Sequence, residues 1–302
     1  MTTTENELEL EAKRAEAILK DFCFTKTHIR EEYKMKPAAD AKPVKTFKND
    51  YGGTSYVYRV KDCVPVKTVK KNPPTEKQIV SRQITSLQNR LRGRLAQTGK
   101  LIDAWIDADH VYLDTETTGL ESKDQIIELA IIDRYLDKVL DIRLKPTVPI
   151  SAEAEQIHGI SAQDLANKAA FPTIYEELKT ILLSQPVIIF NKDFDLRMIR
   201  QTAKAFDLDT DWINDIHAIC AMDLSVQAFG STNRHGTISL SDALACANRS
   251  FCGGAHSARI DAIATADVIN EIFSEYYSIH EELRELKEKA RDGAFDFVML
   301  RE

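Results

Sequence analysis

From Val111 onward the hydrophobic positions come in short runs separated by turns. VYLD at 111–114, IIELAII at 126–132 and LDIRLKP at 140–146 read as three strands whose connections are short enough for hairpins. A helix-prone stretch at 161–183, interrupted at Phe171-Pro172, leads to VIIFN at 187–191, a continuous apolar run of the kind buried on both faces of a sheet. A helix over 193–206, a strand near 213–219 and helices near 220–229, 239–247 and 257–277 follow. A meander of three strands followed by helix-separated strands predicts an α/β fold with a mixed sheet and helices on its faces.

Upstream the pattern is weaker. Residues 1–20 read as a short helix, and 34–50, with Pro37 and Pro43 among polar residues, as a linker. Tyr56, Tyr58 and Val60 alternate against Val57 and Arg59, which predicts a strand or small hairpin ended near Pro65. Asn72, Pro73, Pro74 and Thr75 supply a stop and an N-cap. From Thr75 a helix carries Ile84, Leu87, Leu91, Leu95, Ile102 and Trp105 as one apolar stripe, weakened at Gly93 and Gly99.

Composition narrows the class. With 302 residues, 43% of them hydrophobic, the chain can bury a real core. Five cysteines, an odd set with no C-x-x-C pair, argue against a disulfide framework and a zinc ribbon, so a reducing cytoplasm is expected. No apolar run approaches the roughly 18 residues of a membrane span, and the acidic N-terminus lacks the form of a signal peptide. The net charge of -7 conceals an asymmetry: residues 59–100 carry +9, residues 1–58 sum to zero and residues 101–302 hold -16. A basic arm beside an acidic body suggests polyanion binding in one part and metal chemistry in another, although a charge run can equally be a solvated helix face.

Candidate chemistry lies in the acidic body. Asp114 and Glu116 leave the first strand two residues apart and therefore on one face. Asp195 starts a helix just past the apolar strand, and HSARIDAIATADVI places His256 at a helix start with Asp261 five residues on. A lone D-x-E after a strand is most often a surface turn, and a lone histidine is most often a cap, so the signal lies in the ensemble. Four carboxylates converging on an apolar sheet are strongly destabilising without cations. Oxygen ligands select hard ions, so two Mg²⁺ or Mn²⁺ ions are expected, with His256 as the group that takes the proton from the attacking water.

DTETTG at 114–119, NKDFD at 191–195 and H-x-x-x-x-D at 256–261, together with PISAEAEQIHGIS at 149–161, resemble the motifs of the DnaQ-like (DEDDh) 3′-5′ exonucleases, the group of the polymerase III epsilon subunit and exonuclease X. The resemblance covers about residues 108–280. It implies a ribonuclease H-like five-stranded mixed sheet with flanking helices. It also implies that Asp114, Glu116, Asp195 and Asp261 bind two metals and that His256 is the general base. Thr117, His158 and Phe194 match positions that touch the terminal nucleotide in that family, while Lys192-Asp193 departs from the small residues common there.

The chain is then expected to divide into an N-terminal helix and linker (1–50), a basic hairpin and helix (51–107), a 3′-5′ exonuclease domain (108–285) and a C-terminal tail (286–302). The expected reaction is release of nucleoside monophosphates from the 3′ end of DNA, single-stranded ends foremost, in replication or repair. Two alternatives stand beside it: a 3′-5′ exoribonuclease, and a non-catalytic nucleic-acid-binding or polymerase-tethering subunit. For residues 51–107 the expectations are a grip on single-stranded nucleic acid through Tyr51, Tyr56, Tyr58, Arg59 and Lys61, or a contact with a polymerase or a second copy.

Overall fold

The computed structural model describes residues 3–48, 53–66, 73–253 and 256–292. The chain forms two compact units, 1–74 and 75–302. In the first, α1 (Thr3–Leu19), β1 (Cys23–Thr25), α2 (Lys26–Glu32), β2 (Met35–Pro37), β3 (Lys45–Lys48), β4 (Thr54–Arg59) and β5 (Cys63–Pro65) surround a core of Ala17, Ile29, Tyr33, Met35, Val60 and Cys63. Strands β1, β4 and β3 form one antiparallel sheet in that order, and β2 pairs with β5. The stretch read as a linker thus holds two strands. They are too short to show alternation, and Pro37 is tolerated at a strand end.

The tyrosine-and-cation grip is partly absorbed by this unit. Tyr58 packs against the core, while Arg59 and Lys61 lie 3.6 and 2.8 Å from the Asp21 carboxylate. Tyr56 remains exposed, and Tyr51 lies outside the described residues.

In the second unit α3 (Glu76–Leu91) and α4 (Arg94–Asp103) precede β6 (Val111–Thr117), β7 (Ile126–Asp133), β8 (Lys138–Arg143), α5 (Ala152–His158), α6 (Ala162–Leu165), α7 (Tyr175–Ser184), β9 (Val187–Ile189), α8 (Lys192–Lys204), β10 (Ala218–Cys220), α9 (Ala221–Phe229), α10 (Leu240–Cys246) and α11 (Ala258–Asp292). A capping box starts α3: the Thr75 hydroxyl accepts from the Gln78 N–H and the Gln78 side chain accepts from the Thr75 N–H. The five strands take the order β10-β9-β6-β7-β8, with β9 parallel to β6 and β10, and β7 antiparallel to β6 and β8. This is the mixed sheet that the resemblance implies.

Alternation along β6 sends its side chains to two different cores. Val111 and Leu113 pack with α7 and α8, whereas Tyr112 packs with α4, α9, α10 and α11. The strand read at 213–219 is mostly a 3₁₀ turn, Asp211–Asp215, with only Ala218–Cys220 in the sheet.

The boundary expected at residue 107 lies instead at Pro74, and the expected C-terminal tail is helical through Asp292. One packing relationship explains both differences. Leu87, Ile84 and Leu91 of α3 meet Tyr276, Ile279, Leu283 and Leu286 of α11, so each helix supplies the apolar face that the other needs. Gly99 lets α4 lie against α11, since a Cβ there would overlap Tyr276 Cβ and lie 2.7 Å from the Ile272 carbonyl oxygen. The basic arm is correspondingly structural in part. Arg90 pairs with Glu275 at 2.7 Å, and Arg94 donates to the Val226 and Gln227 carbonyls at the end of α9. Among the described residues, no helix is long and apolar enough to cross a membrane.

Candidate active site

Asp114 and Glu116 share the face of β6 that carries Tyr112, so both point toward α11. Opposite them on β7 stand Ala130, which leaves room, and Glu128, which pairs in register with Glu116. The β6–β7 register shifts between Glu116 and Thr117, a bulge that ends the regular ladder where the site begins. From α11 and the segment before it come Asp261 and His256, the latter with a left-handed backbone at φ 68°. One ligand atom from each of Glu116, His256 and Asp261 lies within 4.8 Å of the others.

Asp195 arrives from the first turn of α8. Thr115, on the opposite face of β6 from Asp114, donates its hydroxyl to Asp195 Oδ1 at 2.8 Å and fixes this buried carboxylate. The strand therefore works on both faces, presenting two carboxylates on one and orienting a third from the other.

The electrostatics match four acids crowded in one place. Burial, then the neighbouring Asp195, Asp261 and Glu116 carboxylates, hold the Asp114 proton well above the usual range. Burial, with Asp261, Glu128 and Asp195 beside it, pushes Glu116 up to about 8. Burial raises Asp195 to about 7 against the opposing Thr115 hydrogen bond, and burial also raises Asp261. Asp261 Oδ1 is buried without a hydrogen-bond partner. An all-oxygen carboxylate set with high proton affinity and an orphaned buried oxygen fits hard divalent cations.

Glu128 and Thr115 escaped the sequence reading. Glu128 Oε1 accepts from Arg143 Nε at 2.8 Å and Oε2 accepts from the Ala258 N–H at 2.9 Å, so this carboxylate ties the start of α11 to the sheet. Its only signal was a charge inside the apolar run IIELAII, and Thr115 gave none.

Beside the carboxylates opens a cleft of about 550 Å³ whose walls include Leu120, Ile157, His158, Thr117 and Phe194. Thr117 turns its hydroxyl inward to the Gly119 carbonyl at 2.8 Å. His158 Nδ1 accepts from the Ile160 N–H at 3.0 Å, which makes Nε2 the donor to the Thr117 carbonyl at 3.2 Å. Burial lowers the His158 pKa, in keeping with this neutral tautomer. The guanidinium of Arg197 lies 5.2 Å from the Phe194 ring centroid. Leu120 and Ile157 are strongly exposed, giving the cleft apolar walls with nothing against them among the described residues.

The sequence profile of the RNase T exonuclease family matches residues 111–269, more than half of the chain. An uncharacterized exonuclease of Escherichia phage 186 is 34% identical over 175 residues, 56% of this chain and 90% of that one. An uncharacterized protein of Salmonella typhimurium is 38% identical over 127 residues, covering 42% and 91% of the two chains. DNA polymerase III subunit epsilon of Buchnera aphidicola is 32% identical over 120 residues, 36% of this chain and 50% of that one. Among solved structures, exonuclease X in complex with 5′ overhanging duplex DNA aligns with 59% of this chain and 98% of its own at 22% identity and a TM-score of 0.42.

Proposed function

Because the chain belongs to the RNase T exonuclease family, we propose that it hydrolyses the terminal phosphodiester at the 3′ end of DNA, with single-stranded ends preferred, and releases nucleoside monophosphates. The observation that carries this reading is the meeting of Glu116, His256 and Asp261 donor atoms within 4.8 Å, beside the buried Asp114 and Asp195 carboxylates.

Asp114, Glu116, Asp195 and Asp261 would hold two Mg²⁺ or Mn²⁺ ions, which supply positive charge for the reacting phosphate and acidify a water. His256, exposed at the rim of the cluster, can accept the proton of the attacking water through an imidazole nitrogen. Phe194 offers a ring against which a terminal base can stack whatever its identity, which suits an enzyme that must accept every nucleotide. The Thr117 hydroxyl is committed to Gly119 and His158 to the Thr117 and Ile160 backbone. Both therefore act by shaping the cleft wall rather than by carrying charge to the substrate.

Incubation of the purified chain with 5′-labelled single-stranded and duplex DNA, and with RNA, in Mg²⁺, Mn²⁺ or EDTA tests the reading. A ladder shortening from the 3′ end of DNA, with metal and with Asp114 intact, supports it. Cleavage that survives Asp114→Ala, or that favours RNA, overturns it.

A further inference from the structure

Next to the nucleotide cleft, α8 lines a second concavity of about 520 Å³, bounded by Arg197, Arg200, Gln201 and Lys204 and by Ser122 of the loop after β6. Arg197, Arg200 and Lys204 fall at spacings of three and four, hence on one helix face. Among the described residues none of the three forms an ion pair. The polar contacts that Arg197 and Arg200 make go to neutral oxygens: Leu120 O and Gln201 Oε1 for Arg197, and Asn214 Oδ1 for Arg200. Like charges three and four residues apart on a helix repel one another. The helix dipole offsets this for Lys204 in the last turn but not for Arg197 and Arg200 in the middle. The lining of this concavity thus holds three cations and no carboxylate, inside a unit whose sequence is otherwise strongly acidic; Asp193, one turn before Arg197 on the same helix face, lies outside it.

The groove is also built rigidly. Gln201 Nε2 donates to the Glu121 and Asp124 carbonyls at 2.8 and 2.6 Å, which locks α8 to the loop that carries Leu120. Arg197 bridges the two concavities, since its guanidinium touches both the Phe194 ring and the Leu120 carbonyl.

We infer that this face of α8 is a phosphate-binding groove for the sugar-phosphate backbone of the nucleic acid whose 3′ end occupies the neighbouring cleft. The inference rests on the exonuclease reading above and deepens it by placing the non-reacting part of the substrate. Backbone phosphates can come from the strand being shortened or from its complement in a duplex, and both present the same anionic oxygens.

The test compares the full chain with Arg200→Gln/Lys204→Gln, sparing Arg197 because it also touches Phe194. The readout is kcat/KM for a long oligothymidylate, and for a blunt duplex, each relative to a thymidine dinucleotide, as KCl is raised; thermal unfolding checks the fold. The expected result is a smaller length advantage in the variant and a salt slope shallower by about 1.4, roughly 0.7 per lost phosphate contact on single strands. A change on both long substrates identifies the shortened strand, and a change on the duplex alone identifies the complement. An unaltered slope and length advantage in a folded variant overturns the groove while leaving the exonuclease reading intact. If the wild type hydrolyses no substrate, the exonuclease reading fails, and fluorescence anisotropy of the same oligonucleotides against salt still decides the groove.

Discussion

Glu128 and Ala258 are 130 residues apart in sequence, yet the Glu128 carboxylate accepts the Ala258 N–H at 2.9 Å. That bond sets the first turn of α11, and so the helix that carries Asp261 and the segment that carries His256, against the strand pair that carries Asp114 and Glu116. Glu128 is thereby a positioning residue. Glu128→Gln should lower kcat by roughly 10–100-fold, as loss of a carboxylate that orients a ligand does. It should lower unfolding free energy by about 1.5–3 kcal/mol, the worth of a hydrogen bond to a charged group. Denaturant titration and steady-state kinetics check both, and a variant with unchanged kcat removes the role.

Asp261→Asn separates stability from chemistry. The wild-type carboxylate is buried, raised in pKa and partnerless at Oδ1, so an amide there should leave the metal-free melting temperature equal or higher. Hydrolysis should fall by about 100-fold or more, given roughly 10²–10⁴ for a positioned catalytic group.

Metal should stabilise the wild type more than this variant. A divalent ion at about 100 times its dissociation constant contributes about 2.7 kcal/mol per site. The melting shift between EDTA and Mg²⁺ should therefore shrink in Asp261→Asn; an equal shift in both proteins means that the ion sits elsewhere.

The raised carboxylates give a signed pH dependence. Glu116 titrates at about 8 and Asp195 at about 7 in the fold, against about 4 in an unfolded chain. Between those limits these two groups hold more protons in the native state than in the unfolded state, so their contribution to stability in EDTA is greatest at low pH and declines as pH rises from about 4 to about 8. Glu116→Gln should flatten that slope. Melting curves from pH 5 to 9 in EDTA check it, and a metal-free protein that gains stability over this range contradicts it.

Gly99→Val should push α4 off α11, because the added carbons meet Tyr276 Cβ and the Ile272 carbonyl. Overpacking of this kind costs about 1–3 kcal/mol, read by thermal unfolding.

Much of this was legible one residue at a time. Alternation in VYLDTET placed Asp114 and Glu116 on one face, because the pleat of a strand leaves no other choice. The stripe of Ile84, Leu87 and Leu91 predicted a helix with one apolar side, and Thr75 its start. What that side would meet was not legible. The polar-looking end of the chain hid the face of α11, and only the packing of Tyr276, Ile279 and Leu283 against α3 moved the boundary to Pro74.

Residue types, and the face of its own strand or helix that each side chain takes, follow from local geometry and can be read directly along the chain. Tertiary structure alone decided which faces meet: that Asp261 lies beside Glu116, that Thr115 holds Asp195 from behind the strand, and that Glu128 binds Ala258. Contacts across 80 to 145 positions leave no local periodicity, and they are set by how whole layers bury their apolar surface.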